Sequence, residues 1–74
     1  MPEDRFSLDE TMPKQVFVVE TTPENHATRL FSVILDYEWA QRIITGRCYL
    51  RDANDIARAV GTYLGIPVNE VSDE

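Results

Sequence analysis

The chain has 74 residues and a formal net charge of -6, with 43% hydrophobic and 27% charged residues. This is one domain at most, with a thin core, because a domain of about 60 residues buries only ~60% of its unfolded surface. The single cysteine, Cys48, excludes an internal disulfide, and no apolar run reaches the ~18 residues of a membrane helix. The start MPEDRFSLDE lacks the basic and apolar stretches of a signal peptide. The expectation is a soluble, cytoplasmic protein with no membrane segment.

The charge sits at the two ends. Residues 1–10 set Glu3, Asp4, Asp9 and Glu10 against Arg5, and residues 66–74 carry Glu70, Asp73 and Glu74 with no base. The segment between them is balanced. Residues 1–13 therefore read as an acidic flexible arm, 14–66 as a compact α+β domain, and 67–74 as an acidic tail. Overall acidity argues against direct nucleic-acid binding by phosphate neutralisation and favours a basic protein partner.

Along the chain, the arm holds Phe6 and Leu8 as large apolar groups. KQVFVVET (14–21) is the clearest strand: it is rich in β-branched residues, bounded by prolines, and apolar on both faces through Val16, Phe17, Val18 and Val19. A lone strand leaves its backbone groups unpaired, so it requires a neighbour.

Two readings stand for TTPENHATRLFSVILDYEWAQ (21–41). Thr22, Pro23 and Glu24 have the chemistry of a helix start, and Gly46 that of a stop, which gives a helix over about 23–45. In that helix Leu35, Trp39 and Ile43 form a second apolar stripe. Alternatively 28–35 is a strand that completes a hairpin with 14–21, and a shorter helix spans 37–45. GRCYLR connects to a helix over 53–64, capped by Asp52 with Asp55 three residues on, with Ile56, Ala59, Val60, Tyr63 and Leu64 inward. Gly61 inside that helix implies close packing, and Gly65 followed by Pro67 marks its end. The fold class is thus α+β: one strand or a hairpin packed with two helices.

No catalytic constellation is present. His26 and Cys48 are each single, and Asp36 and Glu38 point apart on a helix. One histidine and one cysteine cannot build a tetrahedral metal site, and no calcium or phosphate loop occurs. No metal or cofactor is expected, and the chain does not read as an enzyme. The candidate protein-binding residues are Trp39, Leu35, Ile43 and Arg42, an apolar anchor flanked by an arginine, with Asp4, Phe6, Asp9 and Glu10 of the arm. Arg42, Arg47, Arg51 and Arg58 form a candidate basic edge.

Two partial resemblances accompany this reading. A strand, then PEN and a helix, then IARAVGTYL resembles the order of ribbon-helix-helix regulators, and DIARAVGTYLGIPVNEV resembles the closing helix of lambda-repressor-type helix-turn-helix domains. Either implies a dimeric DNA-binding transcriptional regulator. The strand QVFVV lacks the alternating polar residues that read bases. The preferred expectation is a small acidic regulator or inhibitor that binds another protein, in the class encoded by bacteria, phages or mobile elements and directed at transcription or nucleic-acid machinery. A homodimer remains open.

Overall fold

The computed structural model describes residues 12–72. Four strands, β1 (Gln15–Glu20), β2 (Phe31–Asp36), β3 (Gln41–Ile43) and β4 (Val68–Asn69), form one sheet in the order β3-β2-β1-β4. One helix, α1 (Leu50–Leu64), packs on it. This is the two-layer α+β arrangement of the sequence reading.

β1 finds its partner by the hairpin route. It runs antiparallel to β2, with Val16 opposite Leu35 and Val18 opposite Val33. The expected helix over 23–45, or the shorter one over 37–45, does not form: the second strand occupies 31–36 and a third strand follows at 41–43. The helix-start signal is used differently. The Pro23 carbonyl accepts the His26 N–H at 3.1 Å, and Asn25 takes the left-handed conformation (φ 68°), so the segment turns instead of propagating. A Thr21 N–H to Leu30 carbonyl bond of 2.8 Å then zips the two strands together. Thr22 Oγ1 accepts the Leu30 N–H at 2.9 Å and donates to Glu20 at 2.6 Å.

β2 and β3 are joined by the two-residue turn Glu38–Trp39, closed by a Tyr37 N–H to Ala40 carbonyl bond of 2.7 Å. Beyond β3 the chain bulges. Ile44 still donates to the Val33 carbonyl, and the Thr45 hydroxyl replaces a backbone acceptor for the Val33 N–H at 3.1 Å. Cys48 then returns to pair with Phe31 through two backbone bonds of 2.7 and 2.8 Å.

α1 begins at Leu50 with Tyr49 as its N-cap residue, and no side chain caps it. Asp52 lies in the first turn, where its charge favours the helix, and does not act as the cap. The helix ends at Gly65 (φ 69°), with the Ile66 N–H on the Gly61 carbonyl at 3.0 Å. Its buried residues are Ala53, Ala57 and Gly61. The inward face expected from the larger side chains is therefore rotated: Tyr63 is 88% exposed and Ala59 is exposed, while Val60 and Leu64 sit at the margin. Small residues at i, i+4 and i+8 let the helix lie close on the strands, and this close approach outweighs side-chain size. A Cβ on Gly61 would collide with the Val68 side chain and lie 3.4 Å from Val16 Cγ1.

The core is Val16, Val18, Phe31, Val33, Ala53 and Ala57, flanked by Leu35, Ile44, Cys48, Leu50, Val60, Ile66, Val68 and Val71. Val68 and Val71 belong to the segment read as a tail. β4 pairs parallel with β1, Val16 with Val68, and Asn54 clamps the Val71 backbone through two bonds of 3.0 and 3.3 Å. The packed body thus continues past residue 66. Among the described residues no helix is long and apolar enough to cross a membrane.

A candidate protein-binding face

Strand alternation sorts the sheet into two faces. Val16 and Val18 of β1, Phe31, Val33 and Leu35 of β2, and Val68 of β4 point toward α1. The opposite face carries Gln15, Phe17 and Val19 of β1, Ser32, Ile34 and Asp36 of β2, Gln41 and Ile43 of β3, and Asn69 of β4. Among the described residues no helix or strand packs on that second face.

Three bands cross this open face. At one end a side-chain chain spans all four strands. Asn69 donates to Gln15, Gln15 donates to Asp36 at 2.7 Å, and Gln41 reaches the other Asp36 oxygen at 3.5 Å. The middle band is apolar: Phe17, Ile34 and Ile43 lie side by side, with Val19 beside them. Ile43 is 66% exposed and Val19 36%. At the other end Thr21, Ser32, Ile43, Thr45, Gly46 and Arg47 line a pocket of about 250 Å³.

Trp39 stands at the β2–β3 turn, 70% exposed, its ring 5.5 Å from that of Tyr37 at 35°. Trp39 and Ile43 are thus on the surface, at the tip and on the open face of the same hairpin. Leu35 is not with them. It faces α1 and packs on the core, and Arg42, its partner in the register, shares that side. The stripe Leu35–Trp39–Ile43 required helical spacing, and on a hairpin those positions fall on a strand, a turn and a second strand with opposite facings. Asp4, Phe6, Asp9 and Glu10 lie outside the described residues.

Phe17, Val19 and Ile34 escaped the sequence reading as surface groups. Their signal is the uninterrupted run Val16–Val19: a strand apolar on both faces, in a sheet with one helix, leaves half of its run uncovered. Two arginines of the candidate basic edge, Arg58 and Arg47, are tied to neighbouring groups. Arg58 grips Glu70 with two nitrogens at 2.9 and 3.0 Å and Asp55 at 3.2 Å, which raises its pKa through Glu70 first and Asp55 second. Arg47 donates from Nε to the Thr21 carbonyl at 2.8 Å.

Other titratable groups are tied locally. Arg29 bonds Glu20 at 3.1 Å and lies over the Phe31 ring at 5.2 Å. Its hydrogen bond, then that of the Thr22 hydroxyl, holds the Glu20 carboxyl below its ordinary value. His26 donates from Nδ1 to the Thr28 carbonyl at 2.8 Å in an exposed turn, and Cys48 sits partly buried against the core. Among the described residues no three His, Cys, Asp or Glu side chains gather as metal ligands. Compared with protein-family models, curated proteins and solved structures, the chain matches none of them.

Proposed function

We propose that this chain is a small acidic regulatory protein that acts by binding another protein, with the open sheet face and the Trp39 tip as its binding surface. One observation carries the reading: the apolar band Phe17–Ile34–Ile43, with Ile43 exposed and Phe17 and Ile34 partly so, lies between two polar bands on a face that no described helix or strand covers. An apolar centre with a polar rim is the anatomy of a protein interface. The rigid sheet holds the band flat, so the partner meets a preformed surface and little ordering is required on this side. Asp36 and Glu38 at the Trp39 end suit a basic patch on the partner. The net charge of -6 would steer that encounter in a salt-dependent way. The reading is one of binding, not catalysis, in the cytoplasm. Transcription or nucleic-acid machinery of bacteria, or of their phages and mobile elements, is the expected target class.

The placement of β1 supports this reading over a ribbon-type DNA regulator. β1 lies between β2 and β4, paired to β2 along its length and to β4 at Val16 and Phe17, so it is not the free-standing strand that a ribbon dimer pairs. The test is capture from an extract of the source organism with the immobilised protein, followed by mass spectrometry. Ile43→Arg should remove the captured partner, whereas Tyr63→Ser on the outer helix surface should leave it. Equal capture by both variants would refute the assignment of the face. Retention on heparin with a mobility shift of mixed DNA at low salt would support the DNA-binding alternative instead.

A further inference from the structure

We propose that the pocket beside Arg47 is a carboxylate subsite that takes one acidic side chain of the partner. The inference rests on the protein-binding reading and deepens it. The pocket holds about 250 Å³ and is lined by Thr21, Ser32, Ile43, Thr45, Gly46 and Arg47, with no carboxylate among its walls in the described residues.

Its hydrogen-bonding capacity is donor-rich. The Arg47 Nε bond to the Thr21 carbonyl fixes the guanidinium at the rim and leaves the two Nη groups to donate elsewhere. Thr45 Oγ1 is already an acceptor for the Val33 N–H, so its own proton is available to a guest. The Thr21 and Ser32 hydroxyls lie 3.0 Å apart, and whichever donates to the other, one proton remains to offer. Ser32 is only 3% exposed, so this pair is set into the sheet and held in place.

Fixed donors around one guanidinium suit a planar carboxylate, which Arg binds through parallel N–H bonds. A single positive charge matches one carboxylate, and a phosphate dianion would remain half-compensated in a protein of net charge -6. Ile43 forms an apolar wall against which the methylenes of a glutamate side chain can lie. The face is therefore polarised. Asp36 marks the end that takes a basic group and Arg47 the end that takes an acidic one, which fixes the direction in which a partner segment lies across the sheet.

The test is a titration of the full chain with N-acetylglutamic acid amide at constant ionic strength, followed by amide and arginine Nε NMR shifts. N-acetylglutamine amide and inorganic phosphate serve as parallel arms. The expected result is saturable shifts at Thr21, Ser32, Thr45, Gly46 and the Arg47 side chain with the carboxylate, none with the neutral amide, and weaker response to phosphate. Arg47→Gln keeps an N–H for the Thr21 carbonyl and should weaken binding about tenfold to a hundredfold, the range for hydrogen bonds to a charged group. Should that variant lose spectral dispersion, Ile43→Glu reads the same site by occupying it from within and abolishing the titration.

An absent or unsaturable response, an equal response to the neutral amide, tighter binding of phosphate, or unchanged affinity in Arg47→Gln would overturn the proposal. The small-molecule probe needs no partner. A partner captured equally by wild type and Arg47→Gln, but lost with Ile43→Arg, would remove the subsite and leave the protein-binding reading intact.

Discussion

Gly61 is the residue where the fold tolerates least. Alanine in a helix interior is ordinarily better than glycine by about 1 kcal/mol. Here the added methyl would collide with Val68, a stiff β-branched side chain, and crowd Val16. Overpacking of this kind costs about 1–3 kcal/mol, so Gly61→Ala should lower the urea midpoint despite its better helix propensity. Glu20 makes a different residue-scale prediction. Its folded pKa lies below its ordinary value of 4.5, so its contribution to stability is complete above the unfolded value and is lost as pH falls through the lowered folded value. In Arg29→Gln the Glu20 carboxyl should titrate closer to 4.5, as read by carboxyl-detected NMR, while the Thr22 hydroxyl bond keeps part of the depression.

At the scale of elements, β4 is the shortest of the described strands, with two residues paired to β1. The Val16 N–H reaches the Pro67 carbonyl at 3.0 Å, and Asn54 secures the following turn through the Val71 backbone. Asn54→Ala removes two hydrogen bonds, together worth roughly 1–3 kcal/mol. Hydrogen exchange at Val16 should then quicken by tenfold or more, while amides in the β1–β2 ladder, such as Ile34 opposite Phe17, keep their protection. How much of this was legible varied by element. β1 and α1 announced themselves through β-branched density and through the Gly65–Pro67 stop. The β1–β2 hairpin was legible as one of two readings, and the β2–β3 hairpin was hidden by its turn. Thr22-Pro23-Glu24 carries helix-start chemistry, and the Glu38–Trp39 turn contains none of the glycine or asparagine that marks a two-residue hairpin. In the helix reading of 23–45, periodicity places Leu35 with Trp39 and Ile43, whereas the pleat of the strand sends it to the core. The helix face was misread for a related reason, since hydrophobic patterning weighs large side chains and this interface is built on Ala53, Ala57 and Gly61.

For the molecule as a whole, one face of the sheet carries the core, and the other is the proposed recognition surface. Trp39, at 70% exposure, adds little to the fold, so Trp39→Ala should leave the unfolding midpoint within about 0.5 kcal/mol of wild type and still lose the captured partner. A cooperative loss of fold in that variant would place Trp39 in the scaffold. The open face itself was not legible, because it depends on which strands become neighbours and on a single helix choosing one side. The pairing of β1 with β4 also sets a timetable. Asn69 bonds Gln15 from 54 positions away. During synthesis, β1 emerges early and acquires its second neighbour only when nearly all of the described chain is free to move. Until then β1 has an unpaired edge at Val16 and Phe17, the condition in which strands find wrong partners. Nascent chains arrested through a C-terminal linker should stay protease-sensitive until Val68 and Asn69 clear the ribosome, an exposure that invites chaperone capture.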